Sequence, residues 1–275
     1  MSDQPKKYMI PTPGEPVIPF INWGGMRALY VKEVKRFFKV HLQTIWAPAF
    51  TTLLYLVIFT VALGRGGREV MGHPFATFVA PGLIVMGMMN AAFANASFSL
   101  LAGKMQGTII DYLMPPLSTG EMLLALVGAS ITRAVLVGLA LWGAMLFWPG
   151  VDVIPEHPLM AIWFGLMGGA LLSLVGLLTS IWAEKFDHAA AVQNFVVGPM
   201  TLLSGTFYSV DALHSSFSAI SHANPFFYVI SGFRYGVIGT TDSPILVGAI
   251  GLLVLNAILA WINYTVLDRG WKIKG

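Results

Sequence analysis

The sequence predicts an all-α membrane protein with six transmembrane helices, an N-terminal interfacial amphipathic helix and an outer re-entrant helical hairpin before the last span. Three observations predict it. Of the 275 residues, 56% are hydrophobic and 11% charged, against about 45–50% and about 25% in soluble domains. Several apolar runs reach the roughly 20 residues that a helix needs to cross a bilayer. The cations sort to one side of the alternating connections, as a positive-inside protein requires.

Residues 1–23 carry Pro5, Pro11, Pro13, Pro16 and Pro19 and are expected to be extended, with no apolar stretch that would make a cleavable signal. In residues 24–41, placed at 100° per residue, Lys32, Lys35, Arg36 and Lys39 cluster on one side. Met26, Leu29, Tyr30, Val34, Phe37, Phe38 and Val40 fill most of the other, with Glu33 as the exception. Such a helix lies in the membrane interface; a basic flank that serves only topology is the plainer alternative.

A six-span domain over 42–268 follows, with spans at about 43–63, 76–102, 121–148, 159–182, 189–207 and 244–267, then a tail at 269–275. Of 16 Lys and Arg, twelve fall in the termini and even-numbered connections. Arg65, Arg68 and Arg234 fall on the other side, and Arg133 lies inside the third span. That bias places both termini and the 103–121 connection in the cytoplasm. The outer segment 208–243 is long and rich in aromatics yet too interrupted to cross. It reads as a re-entrant or interfacial hairpin rather than a loosely packed loop.

The connection 103–121 is the unusual one. It places an amphipathic piece, Thr108 to Met114, before Pro115 and Pro116, with more apolar surface than a turn needs. It is built to dock on something.

Polar groups interrupt two spans. The second holds Asn90 and Ser97 on one face and Asn95 and Ser99 nearly opposite; the fifth holds Gln193, Asn194, Thr201 and Ser204 within one arc. A polar stripe in a membrane helix faces protein or a cavity. Asn90, Ser97, Gln193, Asn194, Thr201 and Ser204 are therefore candidate cavity-lining residues, with interhelical hydrogen bonding alone as the other reading. Pro81-Gly82 and Gly198-Pro199 break the same two spans and permit kinks. Arg133 has no evident acidic partner; it holds an anion such as a lipid or substrate phosphate, or it binds span carbonyls.

Several functions are disfavoured. The chain has no G-x-x-x-x-G-K-[ST] phosphate loop and no H-E-x-x-H, its six histidines are scattered and it has no cysteine. No catalytic residue and no metal site is expected, and nothing points to nucleic acid. An intramembrane serine protease wants Gly-x-Ser-Gly, but Ser204 sits in Leu202-Leu203-Ser204-Gly205. The spans lack the acidic and histidine relay of a proton-driven pump. A stand-alone secondary transporter or channel remains as the alternative, motivated by the paired proline breaks.

The interfacial helix, the six spans, the segment Gly107-Thr108-Ile109-Ile110-Asp111-Tyr112-Leu113-Met114-Pro115-Pro116 and the outer His222-Ala223-Asn224-Pro225-Phe226-Phe227-Tyr228 followed by Gly232-Phe233-Arg234-Tyr235-Gly236 resemble the ABC type-2 transport permeases. More narrowly, they resemble bacterial exporter subunits akin to the nodulation-factor and drug-efflux permeases. The resemblance implies a multi-pass protein of the bacterial inner membrane, homodimeric, paired with two copies of a separate cytoplasmic ATP-binding subunit. It implies export of an amphipathic substrate, with membrane lipids as surroundings. ATP and Mg would be used by the partner, and this chain would bind no cofactor. Carried over, Gly107, Thr108, Ile109, Ile110, Asp111, Tyr112, Leu113, Met114 and Pro116 form the segment that couples to the ATPase, with Asp111 as the acidic contact. Ile110 stands where many relatives carry a carboxylate. Asn224, Pro225, Phe226, Tyr228 and Arg234 would form an outer lid, and the second and fifth spans would face the dimer cavity.

Overall fold

The computed structural model describes residues 20–63, 69–210 and 220–272. Five helices in it are long and apolar enough to cross a membrane: Leu42–Ala62, Phe75–Met105, Thr119–Leu146, Pro158–Trp182 and Ile245–Asp268. The first four alternate in direction and the last runs parallel to the fourth, so the interfacial helix, the connection 103–121 and the last described residues share one end of the bundle. Most of the cations lie there, and we call it the basic end.

Helix α1 (Trp23–Phe38) starts at Asn22, whose side-chain oxygen accepts from the Gly25 N–H. Leu29 and Phe37 bury one side while Lys32, Lys35 and Lys39 stay exposed. The chain then passes through a π-turn, Leu42–Trp46, into α2 (Ala47–Leu63). The cause is Pro48, which has no N–H to donate and whose ring would crowd the Thr44 carbonyl in a regular α-helix. A wider turn, with the Ala47 N–H bonded to Leu42 O, absorbs the extra residue.

At the far end a two-residue hairpin, β1 (Glu69–Val70) and β2 (His73–Pro74), turns through Met71 and Gly72, both at positive φ. It leads into α3 (Phe75–Met105), the buried axis of the bundle, which packs chiefly on α5 (Thr119–Leu146) and α6 (Pro158–Trp182). Pro81 sits inside α3, which continues unbroken around it. The expected break at Pro81-Gly82 is therefore not one. Between α3 and α5 lies the short helix α4 (Ile110–Leu113). α5 opens with a capping box: Ser118 Oγ accepts from the Glu121 N–H, and Glu121 accepts from the Ser118 N–H.

The expected fifth span takes the form of α7 (Phe186–Val192), a π-turn (Gln193–Val197) and α8 (Gly198–Leu202). This run of residues 186–202 is about 26 Å long at 1.5 Å per residue, shorter than the other five. The π-turn again precedes a proline by two positions: Gly198 N–H reaches Gln193 O, and Pro199 follows. The paired irregularity thus belongs to the first and fifth apolar segments, not to the second and fifth.

In the segment expected as an outer hairpin, residues 211–219 lie outside the described residues. The described part holds a short helical stretch at 220–223 and then α9 (Pro225–Ile238), capped by Asn224 and ended by Gly239 at φ 70°. It is packed as core against α6: a Cβ on Gly236 would lie 2.3 Å from the Ala161 nitrogen, and one on Gly232 2.4 Å from the Phe164 ring. α10 (Ile245–Asp268) runs parallel to α6. Asn256 and Asn263, seven residues apart, donate to Met167 O and Leu174 O, also seven apart. These amides bind the two helices where the hydrophobic effect offers no preference between lipid and protein.

Replacing Gly236 with alanine should therefore lower stability by about 2–3 kcal/mol, because the obstacle is backbone and cannot step aside. Gly143→Ala, with nothing within 4 Å of the added carbon, should change it little. Thermal unfolding of the purified protein in detergent reads both.

Candidate functional site

The basic end is organised by a carboxylate that the helix pattern leaves as an exception. Glu33 is 0% exposed. Its oxygens accept from Ser99 Oγ and Tyr112 Oη, both at 2.9 Å, and pair with Arg36 at 2.8 Å. Arg36 also donates to the backbone and side-chain oxygens of Asn95, and Asn95 Nδ2 donates to Ser130 Oγ at 3.0 Å. One hydrogen-bonded cluster thereby joins α1, α3, α4 and α5. Burial, and then the adjacent Glu33 carboxylate, raises the pKa of the Tyr112 hydroxyl, so it stays protonated and keeps donating.

This cluster holds the connection 103–121 from one side, and a second clasp holds it from the other. Asn22 donates its amide to Pro116 O at 3.0 Å and its backbone N–H to Glu121. Gly107 turns at φ 72°, and the Thr108 N–H returns to Gly103 O. The amphipathic piece is therefore shorter than the expected 108–114, since only Ile110–Leu113 is helical. Its residues divide. Tyr112 points inward; Ile109 and Leu113 are half-buried; Gly107, Thr108, Ile110, Asp111, Met114 and Pro116 are exposed. Ile110 and Met114 are 55% and 76% exposed, an apolar display on a rigid mount. Beside it a groove of about 480 Å³ is lined by Lys32, Lys35, Arg36, Lys39, Asp111 and Tyr112, with the Lys32 ammonium 3.7 Å from the Tyr112 ring centre.

The candidate cavity residues part company. Asn90, Ser97, Gln193 and Asn194 line one cavity together with Arg133 and Pro48, and Gln193 Nε2 donates to Asn90 Oδ1 at 2.9 Å. Thr201 and Ser204 are not among its lining residues. Both are buried and bond their own helix, Thr201 to Val197 O and Ser204 to Thr201 O. Arg133 is 9% exposed, and its Nε donates to Thr44 O at 3.3 Å. That carbonyl is the one Pro48 cannot serve, so the arginine fills a vacancy made by a proline 85 positions away.

The outer residues form a clamp. Asn224 Nδ2 donates to Met200 O, Ser221 Oγ to Leu203 O and Arg234 Nη2 to Gly205 O, serving carbonyls at the end of α8 that have no helical donor. Arg234 is 1% exposed, 3.5 Å from Asp242 and stacked on Phe78. Pro225 starts α9, Phe226 is buried and Tyr228 packs where α10 carries Gly248. The residues expected as a lid are thus fixtures of the bundle. Sequence reasoning missed Glu33 and Asp242 as partners. A carboxylate inside an apolar face, and an acid eight residues after an arginine, were the available signals.

A sequence model of the ABC-2 type transporter family matches residues 25–238, from the start of α1 to the last residue of α9. The chain is similar to the inner membrane transport permease YadH of Escherichia coli K12. The two are 34% identical over 256 residues, covering 92% of this chain and 98% of that protein. It is also similar to nodulation protein J of Rhizobium leguminosarum bv. viciae, at 25% over 254 residues (90% and 94% of the two chains). Nodulation protein J of Rhizobium meliloti strain 1021 is 24% identical over 258 residues (92% and 95%).

Glu33→Ala should cost about 3 kcal/mol, since it strips a charge partner from Arg36 and an acceptor from two hydroxyls. Limited proteolysis should then cut within 103–121 faster than in the parent protein. Unchanged cleavage would mean that the Asn22 clasp alone holds the segment.

Proposed function

The chain belongs to the ABC-2 type transporter family, and on that premise we propose that it is the membrane-spanning permease of an ATP-driven exporter. It is a transport component of a multi-pass membrane protein type, and its engine is a separate ATP-binding subunit. Two copies of the permease pair with two of the ATPase, both termini lie in the cytoplasm, and residues 186–202 serve as a sixth span. The cargo is an amphipathic molecule, a drug, lipid or lipid-linked glycan, taken from the cytoplasm or inner leaflet.

One observation carries this reading: the exposed Ile110, Asp111 and Met114 ride on a four-residue helix pinned from beneath by Tyr112 and Glu33. A docking surface mounted this firmly passes a push on to whatever lies under it. Beneath it are Ser99 and Asn95 of α3, whose opposite face carries Asn90 and Ser97 at the cavity. Closure of two ATPase subunits on ATP would drive the segment and tilt α3 relative to residues 186–202. The cavity would then change the side on which it opens. Asp111 makes the acidic contact with the ATPase, and Ile110 and Met114 fill apolar pockets on it.

A second reading, a stand-alone secondary transporter, draws on the matched π-turn and proline pairs of the first and fifth apolar segments. Ion-gradient-driven transport by the purified chain in liposomes, with no ATPase present, would favour it.

Asp111→Arg should leave insertion and the detergent-extracted yield unchanged, yet lower ATP-driven transport at least tenfold while hydrolysis by the partner persists. Copurification with the ATPase and a vesicle transport assay check this. Normal transport by the mutant would remove Asp111 from the contact.

A further inference from the structure

Five charged side chains are buried among the described residues: Glu33, Glu121, Arg133, Arg234 and Asp242. Four have an answer within the chain. Glu33 pairs with Arg36, Arg234 with Asp242, and Glu121 accepts N–H groups at a helix start. Arg133 does not. Among the described residues its one hydrogen-bond partner is the neutral Thr44 carbonyl, reached by Nε. It takes part in no ion pair there, and the charge that bears on it is the like-signed Arg36. A cation nine-tenths removed from water without a counter-charge is costly, and such groups persist where an anion visits.

The surroundings agree. Arg133 lines a cavity of about 340 Å³ with Asn90, Ser97, Gln193 and Asn194, while Phe93 and Phe98 give it an apolar wall. That volume lies at the lower end of those that hold small-molecule groups. Gln193 Oε1 is buried in the same place with no partner, an acceptor waiting for a donor. Counting residues from the basic ends of the helices, Gln193 lies about 10 Å in, Ser97 about 12 Å and Arg133 about 21 Å. The cavity therefore occupies the basic half of the bundle.

We propose that this cavity binds the anionic group of an amphipathic molecule, a phosphate, sulfate or carboxylate, with Arg133 as its counter-charge and Gln193 accepting from a neighbouring hydroxyl or amide. This deepens the permease reading and rests on it only in placing the cavity within the membrane. It narrows the cargo: a cationic drug meets like charge here, while an acidic or phosphorylated amphiphile replaces water with a guanidinium. The side-chain N–H groups of the exposed Asn194 add neutral donors, which suits an oxygen-rich anion.

The full chain, purified in an uncharged maltoside detergent, can be tested with dodecyl phosphate, phosphatidylglycerol and dodecyltrimethylammonium. At a hundredfold excess over Kd the anionic probes should raise the unfolding temperature by about 5 °C, and the cation should not. A shift with phosphatidylglycerol alone assigns the site to a resident lipid; a shift with dodecyl phosphate as well assigns it to a single-chain, cargo-like acid. Arg133→Gln should abolish the shift and Arg133→Lys retain part of it. Asn90→Asp keeps the acceptor for Gln193 and adds a charge to the cavity. It should raise the unfolding temperature without ligand and blunt the response to dodecyl phosphate, a result that stands even if Arg133→Gln fails to fold. Equal shifts in the parent and Arg133→Gln proteins, equal shifts with anion and cation, or a full response in Asn90→Asp would overturn the proposal. Binding is read without any ATPase, so that failure leaves the permease assignment standing, and the converse also holds.

Discussion

A carboxylate sealed from water needs every donor it can find, and Glu33 finds three on three different elements. That need fixes the basic end. α1 must lie flat enough to bring Glu33 to Ser99, and Tyr112 must turn inward to reach it. Arg36 must then stop at Asn95, whose amide goes on to Ser130. Each donor removed strands a charge, so the cluster behaves as one body rather than as separable contacts. The exposed part of 103–121 inherits its position from that body.

The same logic, applied to the backbone, explains the rest of the bundle. Lipid supplies no hydrogen bonds, so each carbonyl freed by a helix end or a proline calls for a partner from the protein. Lys104 donates to Ser180, Ile181 and Ala183 oxygens where α6 stops. Asn224, Ser221 and Arg234 do the equivalent for α8. Arg133 does it for Thr44, with guanidinium capacity left over. What distinguishes a structural cation from a functional one here is the remainder after the backbone is served without a counter-charge, and at Arg133 that remainder faces a cavity.

The long spans were legible because the medium imposes them: twenty apolar residues have few other uses, and five appear within a few residues of their expected limits. Arg133 and the stripe of Asn90, Ser97, Gln193 and Asn194 were legible for the converse reason, since a polar group among them is conspicuous. Long-range pairing was not. Nothing near Glu33 in the chain announces donors that arrive from 66 and 79 positions away. The expected fifth span, 189–207, lies a few residues beyond the helical run 186–202, because a π-turn at Gln193 shifts the face of everything after it and hides the period. That shift also separates Thr201 and Ser204 from the cavity residues whose arc they share at a regular 100° per residue. The outer segment read as a hairpin because its aromatics demanded burial. Burial holds for α9; residues 211–219 lie outside the described residues.

The two π-turns carry a consequence of their own. Each holds one residue more than an α-helix of the same length, and one residue is about 100° of rotation. The halves of such a helix are therefore out of phase: Gln193 faces the interior while Phe195 and Val196 look outward. Losing a single residue there would restore a uniform screw and swing one half through more than a quarter turn. In lineages descended from a chain like this one, deletions near 42–46 and 193–197 should therefore be far rarer than substitutions at the same positions.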